Sequence, residues 1–255
     1  VKIYVVGIGP GGAAEITPRA GQALTASDLI VGYQAYIKLI APLFPQKQFI
    51  GSGMRDETGR CRLVLAKALT GATVSLISSG DSGIYGMAGI MLEVMNQSGQ
   101  TVPVEIIPGI TAISAAAAIL GAPLMHDFAA ISLSDLLTPW AKIVKRIECA
   151  AQGDFVLGFY NPKSPKRTAQ IAAACQILLQ YRDQETPVGI VRNAGRTGER
   201  HGLTTLGKLP EAELDMATMV IVGNSQTYVA GGKLITPRGY PLDREVTAPV
   251  REDRP

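Results

Sequence analysis

The chain has 255 residues, of which 47% are hydrophobic and 18% charged, enough apolar material for a large core and too much for a disordered chain. A net charge of +3 and 5% aromatic residues offer neither an electrostatic footprint nor a stacking surface for nucleic acid. Three dispersed cysteines (Cys61, Cys149, Cys175) and two histidines (His126, His201) argue against a disulfide framework and against a Cys- or His-based metal site, and fit a cytoplasmic protein without a leader.

The first strand-like run, 3–6, leads into Gly7-Ile8-Gly9-Pro10-Gly11-Gly12. This is the G-x-G-x-x-G pattern of dinucleotide-binding folds, and three features oppose that reading. Pro10 removes an amide donor that a pyrophosphate would need. The next helix opens late, at Thr17-Pro18, an N-cap followed by a proline at the first helical position. Asp28 stands before the second strand-like run, 29–31, whereas the ribose-binding acid of such a fold stands after it. Further strands are expected at 48–50, 73–77 and 104–107, with helices near 18–26, 34–41, 57–69, 84–96 and 111–120. This alternation predicts a parallel sheet covered by helices, with ligands gathering at the carboxyl ends of the strands.

The run 74–77 enters Ser78-Ser79-Gly80-Asp81, and Gly80, Gly83, Gly86 and Gly89 let the backbone approach something bulky. Asp81 would repel a phosphate, so a ligand with hydroxyl or ammonium donors fits this loop better. The competing role for Asp81 is to cap the next helix. Pro108-Gly109-Ile110-Thr111-Ala112 follows the fifth strand, with Thr111 either a ligand contact or an N-cap. Three loops of small residues on one sheet edge outline one cleft. The uncharged stretch 106–125 is long enough to span a bilayer, but its prolines, glycines and alanines read as a strand end, a turn and a buried helix.

Around Gly121-Ala122-Pro123 the rhythm changes. Strands at 129–133, 155–160, 188–191, 202–206 and 219–222, with helices near 139–151 and 168–181, predict a second α/β domain with some antiparallel pairing. The expected division is 1–122 and 123–240, followed by a loose tail at 241–255. His126-Asp127 reads as an acid–base pair or as a satisfied hinge. The basic groups Arg55, Arg60 and Arg62, then Lys163, Lys166 and Arg167, then Arg192 and Arg196, read as solvated faces or as sites for carboxylates.

Several segments together resemble the tetrapyrrole methylases, the S-adenosylmethionine-dependent enzymes of cobalamin and sirohaem synthesis. They are Val6-Gly7-Ile8-Gly9-Pro10-Gly11, Ser79-Gly80-Asp81, Pro108-Gly109-Ile110-Thr111-Ala112 and Pro187-Val188-Gly189-Ile190-Val191. Met54-Arg55-Asp56-Glu57, His126-Asp127-Phe128, the stretch 131–140, Phe159-Tyr160-Asn161-Pro162 and Arg192-Asn193-Ala194-Gly195-Arg196 look most like the branch that methylates C17 of precorrin-3B or cobalt-factor III. The resemblance covers residues 2–240 and implies an α/β fold, with a parallel-sheet N-terminal domain, a mixed-sheet C-terminal domain and the active-site cleft between them. It also implies a homodimer.

By family position the cofactor would lie against Pro10, Gly80, Asp81, Ser82, Ile84, Thr111, Ala112, Asn161, Ala194 and Gly223, with Asn161 standing where a methionine is common. The acidic tetrapyrrole substrate would meet Gly9, Gly11, Arg55, Lys163 and Arg167. Methyl transfer to a ring carbon asks for positioning and exclusion of water, with no metal and no covalent intermediate. The accompanying ring contraction to a precorrin-4-type product needs proton transfer, for which Glu57, Asp56 and His126 are candidates. Competing functions are a sister methylase acting at another ring carbon, a nicotinamide oxidoreductase and a non-catalytic tetrapyrrole carrier. Neither a membrane nor a nucleic acid is expected as a partner.

Overall fold

The computed structural model describes residues 1–53 and 56–242, so Arg55 and most of the expected tail lie outside the described residues. The first half alternates as β1 (Ile3–Gly7), α1 (Pro18–Ala26), β2 (Leu29–Tyr33), α2 (Gln34–Ile40), β3 (Gln48–Ser52), α3 (Glu57–Leu69), β4 (Val74–Ser78), α4 (Ala88–Ser98), β5 (Val104–Ile107) and α5 (Ala112–Leu120). Its five strands form an all-parallel sheet in the order β3-β2-β4-β1-β5.

The inner strands read as almost unbroken apolar runs because helices cover both sheet faces. Val5, Val31 and Leu76 pack against Val64 and Leu65 of α3 and Met91 of α4. Their neighbours Val6, Ile30 and Ile77 face the other way, onto Leu24 of α1 and Ile37 and Ile40 of α2. α1 starts as the sequence predicts, with Pro18 in its first turn and Thr17 Oγ1 accepting from the Ala20 amide at 3.2 Å. α4 starts at Ala88 and not near 84. The intervening residues form a turn in which Tyr85 takes a left-handed conformation, φ 53°, that ends any helix there.

The second half runs β6 (Gly121–Ala122), β7 (Phe128–Ser132), α6 (Trp140–Gln152), β8 (Val156–Tyr160), α7 (Gln170–Leu178), β9 (Pro187–Arg192), β10 (Arg200–Thr205), β11 (Thr218–Val222), β12 (Tyr228–Ala230) and β13 (Lys233–Ile235). Five of these form a mixed sheet in the order β10-β9-β11-β8-β7, with β7 and β8 parallel and the other pairs antiparallel. β12, β13 and β6 make a small third sheet absent from the sequence reading, since strands of two or three residues carry no readable period.

One face of the mixed sheet packs on α6 and α7, where Ile143, Ile147 and Leu178 meet Leu157, Phe159 and Val220. The other face packs on α5, where Ile113, Ala116 and Leu120 meet Val191, Met219 and Ile221. α5 therefore precedes the division expected at 122, yet its buried face belongs to the core of the second sheet. The uncharged stretch 106–125 resolves into the end of β5, α5 and β6, and among the described residues no helix is long and apolar enough to cross a membrane.

β8 and β9 both run antiparallel to β11, so their carboxyl ends share an edge with the start of β11. That edge faces the carboxyl ends of β1, β4 and β5 across a cleft.

Candidate active site

The N-terminal wall of the cleft is built from the three strand-end loops, locked backbone to backbone. The Gly9 amide donates to the Gly80 carbonyl at 3.1 Å, and the Gly80 amide returns a bond to the Gly9 carbonyl at 2.7 Å. At Gly109 a Cβ would lie 2.3 Å from the Gly80 carbonyl oxygen and 2.7 Å from the backbone of Gly7, so only glycine fits where the loops cross.

Asp81 fastens this knot. Its Oδ1 accepts from the amides of Gly83 at 2.7 Å and Ile84 at 3.1 Å, and its Oδ2 accepts from the Gly109 amide at 3.0 Å. It does not cap α4, which begins seven residues later at Ala88. Half-exposed, the carboxylate still borders the cleft with lone pairs to spare. Ser82 is fully buried and donates its hydroxyl to the Ile107 carbonyl at 3.0 Å, so it supports the loop from behind.

The opposite wall is aromatic and polar. The Tyr160 hydroxyl shares a 2.5 Å hydrogen bond with Thr111 Oγ1 and accepts from the Ile113 amide at 3.2 Å. Thr111 thus occupies the N-cap position of α5 while its side chain serves Tyr160 instead of the helix. Tyr85 packs against Tyr160 with ring centres 4.9 Å apart and the rings tilted by 53°, and its hydroxyl donates to the Ala130 carbonyl and accepts from the Ser132 amide. Asn161 Nδ2 donates to Ser132 Oγ at 3.0 Å. Of the four non-glycine residues with positive φ among those described, three line the cleft: Tyr85 at 53°, Asn161 at 52° and Asn193 at 54°. Such conformations cost energy and concentrate where a side chain must be aimed.

Arg196 closes the cleft from the C-terminal side. Its Nε donates to the Pro10 carbonyl and its Nη2 to Ser79 Oγ, spanning from the loop after β9 to two loops of the parallel sheet. Burial draws its guanidinium below its ordinary pKa, with the nearby Tyr36 phenol acting in the opposite sense. Burial also raises the pKa values of Tyr36, Tyr85 and Tyr160, so all three are neutral hydrogen-bonding groups at physiological pH.

The cleft holds a cavity of about 340 Å³. Eight of the ten expected cofactor residues line it: Pro10, Gly80, Asp81, Ile84, Thr111, Ala112, Asn161 and Ala194. The other two are the buried Ser82 and Gly223, whose carbonyl accepts from Arg182 behind the mixed sheet.

The expected substrate and catalytic residues are scattered. Gly9 is part of the backbone knot, and Gly11 lies under the Arg196 stem. Lys163 lines a neighbouring pocket of about 470 Å³ that meets the cleft at Met216 and Ala217. Arg167 is buried, with Nη2 donating to the Asn161 carbonyl at 2.8 Å and Nε without a hydrogen-bond partner among the described residues, and it lies outside the cavity lining. Asp56 and Glu57 stand at the start of α3, beyond the carboxyl end of β3 and outside the cavity lining. His126 is exposed, with Nδ1 accepting from the Asp127 amide and 3.5 Å from the Asp127 carboxylate, and it too lies outside the lining. Asp28 accepts from the Thr73 amide at 2.8 Å at the opposite edge of the sheet, far from a ribose-binding position.

Sequence reasoning gave no role to Tyr36, Tyr85 or Tyr160 and treated Arg196 as one basic residue among several. The available signal was the run of turn formers in Asn193-Ala194-Gly195-Arg196 directly after a strand. Among the described residues no group of three His, Cys, Asp or Glu side chains is placed to hold a metal.

Residues 2–210 match the family model for tetrapyrrole (corrin/porphyrin) methylases. A probable cobalt-factor III C(17)-methyltransferase of Salmonella typhimurium is 51% identical over 94% of this chain and 100% of its own length. The cobalt-factor III methyltransferase of Priestia megaterium is 50% identical over 94% of this chain, which spans only 45% of that longer protein. The precorrin-3B C(17)-methyltransferase of a Sinorhizobium species is 39% identical over 89% of this chain and 90% of its own length. Among solved structures, the methyltransferase CobJ superposes with a TM-score of 0.87 at 36% identity, covering 92% of this chain and 99% of its own. The fold is shared more distantly with a uroporphyrin-III C-methyltransferase of Thermus thermophilus solved with S-adenosylhomocysteine, with a TM-score of 0.64 at 24% identity over 88% of this chain and 97% of its own.

Proposed function

The chain belongs to the tetrapyrrole methylases, and from that membership and its cleft we infer that it is the methyltransferase that moves a methyl group from S-adenosylmethionine to C17 of a precorrin-3-level macrocycle in cobalamin synthesis. The observation that carries the cofactor reading is the coincidence of eight expected contact residues around one cavity. A donor-rich cofactor suits its walls. The methionine ammonium and the ribose hydroxyls have Asp81 and the loop carbonyls to donate to, and the neutral tyrosines bound the cleft without adding charge.

The chemistry needs little more than placement. The sulfonium methyl is attacked in line by an electron-rich ring carbon. A C–C bond forms, the C–S bond breaks, and its electron pair returns to sulfur to leave S-adenosylhomocysteine. Holding the two centres at near-attack distance in a dry cleft supplies most of the acceleration. The rigid glycine knot fixes one reactant, and the polar side chains behind it are already satisfied, so they do not reorganise during the step.

Contraction of the macrocycle follows with proton transfer. Asp56 and Glu57 stand on the carboxyl edge of the parallel sheet, where a macrocycle overhanging the cofactor would reach them, and they remain the candidates. His126 is held by its own neighbour and is the weaker choice.

The cobalt complex is favoured as the substrate, because relatives named for cobalt-factor III reach 50–51% identity and the relative named for precorrin-3B reaches 39%. The enzyme acts as a homodimer in the cytoplasm. Incubation with methyl-labelled cofactor and each macrocycle in turn, read by carbon NMR, tests the reading. Label at C17 of a contracted ring is the expected outcome. Label at another carbon would make the chain a sister methylase, and binding without transfer would make it a carrier.

A further inference from the structure

We propose that Arg196, together with the Tyr36 hydroxyl that lines the same cavity, grips a carboxylate brought into the cleft by a bound reactant. The proposal rests on the methyltransferase reading and assigns a task to a residue that the reaction chemistry leaves idle.

Arg196 is the one cationic side chain lining the cavity among the described residues. A guanidinium carries five N–H donors. Arg196 uses two of them, on the Pro10 carbonyl and Ser79 Oγ, which leaves three. No carboxylate among the described residues lies within ion-pair distance of it.

The other arginines are differently placed. Arg192 is paired with Asp215 at 2.7 Å. Arg60 is directed to Ser52, Gly53 and Met87, and Arg182 to the carbonyls of Gly223 and Phe155. A desolvated cation without a counterion is costly, and a cleft that retains one is prepared for an anion.

Two further observations point the same way. Tyr36 lines the same cavity and has a hydroxyl without a hydrogen bond among the described residues. A phenol donor beside a planar guanidinium fork is a matched receptor for a carboxylate. The first loop is also hollowed to admit the arginine. At Gly11, where φ is 151°, a Cβ would lie 2.4 Å from Arg196 Cγ, so any side chain there would displace it.

Both reactants carry carboxylates: one on the methionine part of the cofactor, and many on the acetate and propionate arms of the macrocycle. The two sources separate in one experiment on R196Q and R196K. Calorimetry measures binding of S-adenosylhomocysteine and of 5′-methylthioadenosine, which lacks the amino-acid carboxylate. Steady-state kinetics measure KM and kcat for the tetrapyrrole. We expect R196Q to weaken one reactant at least tenfold, with R196K restoring part of the loss.

Weaker binding of S-adenosylhomocysteine with unchanged methylthioadenosine assigns the cofactor carboxylate. Unchanged cofactor binding with a raised KM and a nearly constant kcat assigns the macrocycle. Equal weakening of both nucleosides would make Arg196 a strut between the two sheets and overturn the proposal, as would no change in any of them. Failure of the wild-type protein to bind S-adenosylhomocysteine would overturn the methyltransferase reading and this proposal with it.

Discussion

Replacing Asp81 by asparagine keeps the shape of the side chain and removes its charge. The substituted side chain can still place Oδ1 against the amides of Gly83 and Ile84, but its amide nitrogen cannot accept from Gly109, 3.0 Å from Oδ2 in the wild type. One charge-assisted bond is therefore lost, and a donor is turned toward a donor. Such bonds contribute about 1.5–3 kcal/mol when desolvated. Asp81 is half-exposed, and solvent screening brings the expected stability loss to about 1–1.5 kcal/mol. Removing the charge that faces a cofactor ammonium should weaken S-adenosylhomocysteine by roughly tenfold, or about 1.4 kcal/mol. Urea denaturation reads the first quantity and calorimetry the second. A lower urea midpoint with cofactor affinity within about twofold of wild type would refute the ligand role and leave Asp81 a loop fastener only.

Gly109→Ala should cost toward the upper end of the roughly 1–3 kcal/mol typical of overpacking, because its Cβ would meet the Gly80 and Gly7 backbones and not a movable side chain. It should also weaken cofactor binding. Gly89→Ala in α4, with nothing within 4 Å of the added Cβ, is the control and should be neutral or stabilising; equal urea midpoints for the two variants would refute the backbone knot. Burial pushes the Cys61 thiol up to about 11 and that of Cys175 up to about 12. Because the thiolate is the reactive form, titration of the native protein with a disulfide reagent at about pH 8 should detect the exposed Cys149 alone, and three reacting thiols would contradict the burial.

The parallel sheet was legible because β1, β2 and β4 are rich in Val, Ile and Leu and end at or next to a glycine or serine. The mixed sheet was legible strand by strand, while its packing partner was not. α5 follows β5 in the chain, and nothing in Ala-Ile-Ser-Ala-Ala-Ala-Ala-Ile-Leu says which sheet its apolar stripe will cover. The cleft was readable as three small-residue loops, since glycine and proline spacing records close backbone approach. Arg196 and the tyrosines were not readable, because their roles depend on contacts across 117 residues for Arg196–Ser79 and 49 for Thr111–Tyr160. For the same reason Arg167 looked free as a sequence neighbour of Lys166 and proved to be turned inward.

The position of β1 has a consequence for the order in which the protein is made. β1 precedes the other strands of its sheet in the chain but lies between β4 and β5, with Ile3 registered against Val74 on one side and Val104 on the other. At about 5–20 residues per second, a ribosome takes on the order of 5–20 s to supply both neighbours. Meanwhile β2 and β3 are already available to pair, and β4 can join β2 before β1 has a complete slot. The nascent Ile-Tyr-Val-Val segment therefore waits longest for a full set of strand partners, the condition under which a chaperone is most useful. The glycine loop after β1 cannot interlock with Gly80 and Gly109 until then, so the cofactor wall is among the last parts of this half to take shape.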